Sequence, residues 1–161
     1  MFIPFDNLSP QAKIWIYSSP RNFSDLEYAK MIEIIHHFVE NWESHQQKLQ
    51  ASYQILDRRF IILAVDESVT KASGCSIDKS VEIIRQLSAI LEVDLFDRLS
   101  INYKKGQEWQ SCKTQDLKNK VMQQEFTNET LVFNTLAQSK EELTANTTLK
   151  VAETWLKKYV A

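Results

Sequence analysis

The spacing of apolar and polar residues over the first hundred positions predicts two helices and four strands. Apolar residues that recur every three to four positions are typical of helices, and short apolar or alternating runs are typical of strands. The run at 60–65 is apolar at every position, which predicts a strand buried on both faces. The predicted strands lie at 13–17, 51–56, 60–65 and 98–104, and the predicted helices at 24–43 and 77–92.

Local signals mark the starts of the predicted helices. Ser24 precedes the first helix and Glu27 follows three positions later, which is the pattern of a capping box. Ser76 is the expected N-cap of the second helix, with Asp78 in its first turn. The apolar positions expected to form the two buried stripes are Tyr28, Ile32, Ile35, Val39 and Trp42, and Ile77, Val81, Ile84, Leu87 and Leu91.

The order β-α-β-β-α-β predicts an α+β protein with the antiparallel sheet of a ferredoxin-like fold. In that topology the first and third strands are central and both helices cover one face. Residues 12–104 would form this core, and residues 105–161 a mostly helical C-terminal extension that covers the second face, all within a single domain, 1–161. In the extension we expect helical segments at 112–126, 139–143 and 150–159, and a short strand near 131–133.

Glycine is scarce in this chain: the 161 residues include only Gly74 and Gly106. The phosphate-binding loops of Rossmann enzymes, P-loop ATPases and protein kinases all need closely spaced glycines. The sequence therefore excludes these three nucleotide-binding motifs. Hydrophobic residues make up 43% of the chain, which is enough for one domain with a sizeable core.

The charge balance argues against nucleic acid or a membrane as a partner. The chain has 19 Lys and Arg against 21 Asp and Glu, so its surface carries no overall positive charge. No apolar run is long enough to span a membrane, and no secretory signal is visible at the N-terminus. Because Cys75 and Cys112 are the only two cysteines, no disulfide framework is expected, and we predict a cytoplasmic protein.

Neither a metal nor another cofactor is expected. The sequence contains no H-E-x-x-H and no C-x-x-C motif, which are the spacings typical of dedicated zinc sites. His36 and His37 are adjacent on the first predicted helix, so they project in different directions. His36 lies on the same side of the helix as Glu40, four residues later, and these two would form a minimal ligand pair.

The sharpest local signal is the segment 72–78, where a turn rich in hydroxyl groups leads directly into a helix. Ser73, Gly74, Ser76 and Asp78 lie where free backbone N–H groups favour an anion. At the same position the helix dipole favours the thiolate of Cys75, which is the reactive nucleophile. The alternative is structural: Gly74 makes a tight turn, Ser76 caps the helix, and Cys75 is a small buried residue.

The ferredoxin-like topology places further polar residues near this segment. The end of the third strand and the end of the first helix lie at the same pole of such a unit, which brings Asp66 and Glu67 towards His45. Cys75 and His45 with Asp66 or Asp78 would form a thiol–imidazole–carboxylate set. Alternatively, His45 is simply a polar residue in the turn after a helix.

The opposite pole of the predicted fold collects arginine residues. Arg21 follows the first strand, Arg58 and Arg59 lie at the predicted Asp57–Arg58 hairpin turn, and Arg98 begins the fourth strand. Guanidinium groups gathered at one end can bind a phosphate or a carboxylate. Alternatively, Arg21 and Arg98 form ordinary surface ion pairs with Asp57 or Asp97.

Aromatic residues in the predicted strands suggest a third kind of function. Trp15, Tyr17, Tyr53 and Tyr103 could line an open sheet face, as in RNA-recognition domains. The acidic charge balance and the missing glycine-aromatic RNP1 pattern oppose RNA binding, and apolar residues of the tail offer an intramolecular cover. An aromatic face that meets a protein partner or a second copy, as in a homodimer, remains an alternative.

One set of residues is carried in a recognisable order: Trp15-Ile16-Tyr17, Arg21, Phe38, Trp42, His45, Asp66-Glu67, Ser73-Gly74-Cys75-Ser76-Ile77-Asp78 and Asp97-Arg98. In these residues the chain resembles a small bacterial family of uncharacterised proteins that are often labelled ABC transporter ATPases. The resemblance covers residues 12–104, and a glycine usually follows the family's histidine where this chain has Gln46. The label does not fit, because an ABC ATPase needs a Walker A lysine on a glycine-rich loop and a Leu-Ser-Gly-Gly-Gln signature.

These observations lead to three functional hypotheses of different classes. The first is a protein that binds a small polar or anionic ligand at the 73–78 turn. The second is a thiol-dependent enzyme with Cys75 as nucleophile and His45 as its base. The third is a protein-interaction module without catalytic activity.

Overall fold

The computed structural model describes residues 1–160 and shows an α+β fold. The first part of the chain contains β1 (Lys13–Ser18), α1 (Asp25–Asn41), β2 (Glu43–Ser44), β3 (Gln47–Lys48), β4 (Gln50–Leu56), β5 (Phe60–Asp66) and α2 (Gly74–Leu91). The second part contains β6 (Ser100–Lys105), β7 (Glu108–Lys113), α3 (Leu117–Met122), β8 (Leu131–Phe133), α4 (Lys140–Ala145) and β9 (Thr148–Lys150). Short 3-10 helices lie at Phe5–Asn7, Thr114–Asp116, Val151–Glu153 and Trp155–Tyr159.

The first sheet is antiparallel, with strand order β1-β5-β4, so β5 is its centre. The prediction that this strand is buried on both faces is confirmed, because residues 60–65 are fully inaccessible. The residues on one face, Ile61, Leu63 and Val65, pack against α1 and α2. Phe60 and Ile62 belong to the other face and contact the second half of the chain. This central strand therefore joins two separate hydrophobic clusters.

The ferredoxin-like arrangement is not confirmed, because the fourth predicted strand leaves the first sheet. The order β1-β5-β4 matches the three strands expected there, but β6 lies in a second sheet of order β7-β6-β8-β9. A tight hairpin explains the difference. Gly106 has a φ of 64°, a conformation that costs glycine little, and it reverses the chain so that β7 pairs along the whole length of β6.

The C-terminal region is not mostly helical, so that prediction is wrong. Three of the four strands in the second sheet lie beyond residue 105, and α3 and α4 have only six residues each. The short strand expected near 131–133 is present as β8. The expected role of the region holds in the structure, since Trp109, Phe133 and Leu143 pack on the second face of the first sheet.

Two hairpin turns use left-handed backbone at residues other than glycine. Asp57 and Arg58 have φ values of 51° and 50°, which confirms the predicted turn between β4 and β5. His45 and Gln46 have φ values of 51° and 66° and join β2 to β3. Two consecutive positive φ angles define the type I′ turn that suits antiparallel hairpins.

The helices in residues 1–160 do not combine the length and the apolar character that crossing a membrane requires.

Candidate functional site

The start of α2 is a closed capping box. Ser73 Oγ accepts a hydrogen bond from Ser76 N (3.2 Å), and Ser76 Oγ accepts one from Ser73 N (2.7 Å). The N-cap is therefore Ser73 and not Ser76, and the helix begins at Gly74, three residues earlier than predicted. Reciprocal pairing of two hydroxyls satisfies two backbone donors that one serine could not satisfy alone. The expected tight turn at Gly74 is wrong, since this glycine is the first helical residue.

The hydroxyl groups proposed to hold an anion thus already have partners within the chain. Ser76 is buried, and its hydroxyl also donates to the Ser73 carbonyl oxygen at 2.8 Å. Cys75 and Asp78 are exposed on the first turns of α2. The structure therefore gives Ser73 and Ser76 a capping role, and leaves Cys75 in contact with solvent.

The hairpin that carries His45 lies against this region, as the topology predicted. Trp42, which ends α1, donates its indole N–H to the Ser76 carbonyl oxygen at 2.8 Å. Thr70 and Gln47 are joined by a side-chain hydrogen bond of 3.4 Å. Within residues 1–160, however, no hydrogen bond links His45 to Cys75, and both side chains are exposed.

Both carboxylates at the end of β5 stabilise the loop that follows them. Asp66 Oδ1 accepts from Ser68 N (3.0 Å), and Glu67 Oε2 accepts from Ala72 N (3.0 Å). Neither carboxylate is hydrogen-bonded to His45, so the thiol–imidazole–carboxylate set is not assembled in this structure. Asp66 and Glu67 therefore stabilise the loop that leads into α2.

Replacing Ser73 with alanine is expected to lower the free energy of unfolding by about 1 kcal/mol, because the cap of an 18-residue helix is lost. Ser73→Asp should retain most of the stability, since a carboxylate also caps and suits the helix dipole. Urea denaturation followed by circular dichroism measures both variants. Equal stability of Ser73→Ala and the wild type would contradict the capping role.

The arginines predicted to gather at the opposite pole separate into different roles. Arg21 makes a bidentate pair with Glu27 (2.8 Å each) and donates to the Leu91 carbonyl oxygen (2.7 Å). Hydrogen bonds from the Arg21 guanidinium lower the pKa of Glu27 to about 2. Arg58 pairs with Asp25. The alternative of ion pairing therefore holds for Arg21, with partners other than the predicted ones.

Arg59 is buried, with 6% of its surface exposed, yet its partners are neutral. Its Nε donates to Asn22 Oδ1, and its Nη1 donates to Asn102 Oδ1, both at 2.9 Å. No carboxylate in residues 1–160 forms an ion pair with it. Burial lowers the pKa of this guanidinium from its usual value. A buried cation without a counter-ion makes the region around Asn102 electropositive.

A cleft of about 370 Å³ lies beside these residues, between the end of β1 and the second sheet. We call it the inter-sheet cleft. Its polar lining includes Ser18, Arg98, Asn102 and Asn134, and its volume is within the range of small-molecule sites. The apolar residues at this cleft include Ile16, Leu95, Phe96, Val132, Leu136 and Trp155.

Arg98 is the only arginine in the lining of the inter-sheet cleft, and within residues 1–160 it forms no ion pair. The neighbouring carboxylate is engaged elsewhere. Asp97 pairs with Lys113 and accepts from Ser100 Oγ (2.7 Å), and these contacts, led by the Lys113 hydrogen bond, lower its pKa to about 2. The Arg98 guanidinium is therefore free to bind a ligand.

Three of the exposed side chains that line the cleft are apolar, and we call these three the apolar mouth of the cleft. Trp155 is 45% exposed, and Phe96 and Leu136 are exposed as well. Large apolar side chains gathered at an opening mark a surface that contacts other molecules. Trp155, Asn102 and Asn134 were not selected from the sequence, because they come together only through the second sheet, which was not predicted. Of these three residues, only Trp155, as a tryptophan in the C-terminal tail, was a sign of this site in the sequence.

A second groove of about 530 Å³ runs between α1 and α2. Phe38, Trp42 and Ile83 contribute apolar surface to it, and Lys79 and His37 lie at its edge. Neither Cys75 nor His45 contributes to its lining. Within residues 1–160, no group of three or more His, Cys, Asp or Glu side chains is placed to hold a metal ion.

Comparison of the chain with protein-family models, with curated proteins and with solved structures finds no match. The fold and the cleft therefore carry the functional argument.

Proposed function

We propose that this protein binds a small ligand with an anionic group and an apolar part in the inter-sheet cleft. One observation carries the proposal: Arg98, free of any ion pair in residues 1–160, lines a cleft with an apolar mouth. An unpaired guanidinium is suited to bind a carboxylate, sulfonate or phosphate through charge-assisted hydrogen bonds.

The residues behind the cleft support an anionic ligand. Arg59 adds a buried positive charge, and its contact with Asn102 Oδ1 fixes the orientation of that amide. Asn102 Nδ2 donates to no residue in 1–160, so it is free to donate to a ligand. The ligand class is the one inferred from the sequence, but the inter-sheet cleft replaces the 73–78 turn, whose hydroxyls are engaged in capping.

Arg98→Ala is expected to weaken binding of 8-anilinonaphthalene-1-sulfonate at least about tenfold. This probe combines an anionic sulfonate with aromatic rings, and loss of one charge-assisted contact is worth about 1.5–3 kcal/mol. Fluorescence titration of the folded protein measures its dissociation constant. The probe should bind the wild type with enhanced emission.

Arg85→Ala is the matched control, because Arg85 pairs with Glu82 on the exposed surface of α2 and lies outside the cleft. Its affinity for the probe should equal that of the wild type. If the wild type does not bind the probe, or if both variants bind it equally, the proposal is wrong.

Thiol chemistry at Cys75 is a second candidate, favoured by the position of the side chain. Cys75 is exposed on the first turn of α2, at the N-terminal end of the helix. His45 would have to reorient to act as its base, because the two side chains share no hydrogen bond within residues 1–160.

Iodoacetamide is expected to label Cys75 faster at pH 7 than it labels free N-acetylcysteine. Cys112→Ala isolates the reaction, since Cys112 is half-buried and burial raises its pKa. Adding His45→Ala should slow labelling if the imidazole acts as a base. Mass spectrometry follows the modified fraction over time. A rate equal to that of the free thiol would remove this candidate.

The resemblance to the bacterial family labelled ABC transporter ATPases adds no activity to these proposals. The order β1-β5-β4 is compatible with a ferredoxin-like core from which the fourth strand has moved into the second sheet. The cytoplasmic location and the homodimer stay predictions.

A further inference from the structure

The strand β1 lies at the edge of the first sheet, and only part of that edge is covered. Ile14 N donates to Gln138 O (3.1 Å), and Lys140 N donates to Ala12 O (2.9 Å). These two bonds pair the beginning of β1 with the segment around Ser139. On its other side β1 pairs with β5 over its full length.

The rest of this edge has no backbone partner. Backbone groups alternate sides along a strand, so Ile16 and Ser18 point their N–H and C=O groups the same way as Ile14. The Ser19 N–H, which donates to Arg59 O (2.9 Å), confirms this alternation, because it faces β5. Within residues 1–160, no hydrogen bond is made to the outward groups of Ile16 and Ser18.

The unpaired edge opens into the inter-sheet cleft. Ile16 and Ser18 line it on one side. On the other side, residues 134–136 line the cleft and form no backbone hydrogen bond to β1, although residues 138 and 139 pair with it. The result is a gap beside a strand edge, with Arg98 and an apolar mouth at its border. The side chains along it therefore suit a chain that carries both acidic and apolar residues.

We infer that the cleft binds an extended peptide segment that adds a strand to the open edge of β1. Its backbone would pair with Ile16 and Ser18, an acidic side chain would meet Arg98, and an apolar side chain would pack on Trp155. Recognition by strand addition takes its affinity from backbone hydrogen bonds and its specificity from alternate side chains. Unpaired edges are known templates for such pairing. Three residues of strand span about 10 Å, so a tetrapeptide is long enough.

This inference rests on the proposed function, because it names the ligand of the same cleft. The probe is the tetrapeptide acetyl-Val-Glu-Val-Tyr-amide, and isothermal titration calorimetry measures its affinity for the full chain. Two N-methylated versions test the pairing: one is methylated at positions 1 and 3, the other at positions 2 and 4. Since alternate N–H groups face opposite sides of a strand, only one version should lose affinity, by about tenfold.

Two further experiments test which groups of the protein bind the peptide. Ser18→Pro removes an N–H that faces away from β5, a position where an edge strand tolerates proline, and it should lose about tenfold in peptide affinity. Replacing the peptide's Glu with Gln should weaken binding to the wild type and leave binding to Arg98→Ala unchanged. Circular dichroism checks that each variant is folded.

The outcomes separate this inference from the proposed function. Equal affinity of both N-methylated peptides and the parent overturns strand addition, even if Ser18→Pro fails to fold. Absence of peptide binding by a wild type that binds the fluorescent sulfonate through Arg98 overturns the inference and leaves the proposed function standing. Loss of affinity confined to one N-methylated version supports the inference.

Discussion

Phe60→Ala is expected to lower the free energy of unfolding by about 3–5 kcal/mol, the usual cost of removing a buried aromatic ring. Phe60 is 0% exposed in the central strand of the first sheet. Its ring stacks on Phe133 with centroids 3.8 Å apart, and it meets Trp109 edge-on at 4.9 Å. The substitution therefore removes the aromatic contacts of the first sheet with Phe133 and Trp109 of the second sheet. Urea denaturation at 25 °C measures the change.

Met122→Ala is the matched control, because Met122 is 74% exposed and should change stability by less than about 0.5 kcal/mol. The double variant with Phe133→Ala isolates the stacked pair, whose coupling should be about 0.5–1.5 kcal/mol. A loss below about 1 kcal/mol in Phe60→Ala would mean that the sheets do not share a core.

Trp42→Ala is expected to cost about 3–5 kcal/mol as well, for a different reason. Trp42 is 1% exposed, packs on Phe38 and Trp15 with ring centroids at 5.0 and 5.8 Å, and bonds the Ser76 carbonyl oxygen. The substitution leaves a cavity between α1 and α2. It also leaves the buried Ser76 carbonyl oxygen without its indole partner.

Trp42→Phe separates packing from hydrogen bonding. It keeps an aromatic ring and loses the indole N–H, while the Ser76 carbonyl oxygen keeps its hydrogen bond within α2, so we expect a smaller loss of about 0.5–1.5 kcal/mol from the lost hydrogen bond. Trp155→Ala, at an exposed site, should have little effect on stability. Similar stability of Trp42→Ala and Trp155→Ala would show that the indole does not join the two helices. Thermal unfolding followed by tryptophan fluorescence can rank the three variants.

The first sheet and its helices were predictable because their signals are local. A fully apolar run, as at 60–65, has few alternatives to a central strand. Ser24 and Glu27 form the capping box that their spacing predicts, with Ser24 N donating to Glu27 Oε1 at 2.8 Å. The turn at Asp57 and Arg58 is also where the sequence placed it.

The second sheet was not predictable, because its pairing depends on distant partners. No strand was predicted at β7, and its last two residues fell within the helix expected at 112–126, although Gly106 makes a hairpin turn that gives β7 the neighbour β6. Tyr103 pairs with Val132 across almost thirty positions of sequence, and no local pattern shows this contact. Tertiary packing determined the structure of these segments, whose intrinsic preferences are weak.

The candidate site was likewise predictable only where its signals are local in the sequence. The 73–78 turn was visible as a motif, but its hydroxyls satisfy the helix start. The inter-sheet cleft is built from separated parts of the chain. Of its lining residues, only Arg98 was predicted to bind an anionic ligand, and Tyr17 was considered only as part of an aromatic sheet face. Arg98 could be selected from the sequence because the expected fold placed it at one pole with other arginines. The residues that surround Arg98 could not be selected, because their positions depend on the pairing of β6 in the second sheet.

The shared core of the two sheets also bears on how the protein is made. The face of the first sheet that carries Phe60 and Ile62 is covered by Phe133 and Leu143, which leave the ribosome after the whole of that sheet. A nascent chain that has emerged only as far as α2 exposes this apolar surface while translation continues. Such a chain is expected to need chaperone protection, and premature termination before Phe133 should yield an aggregating product and not a smaller working protein.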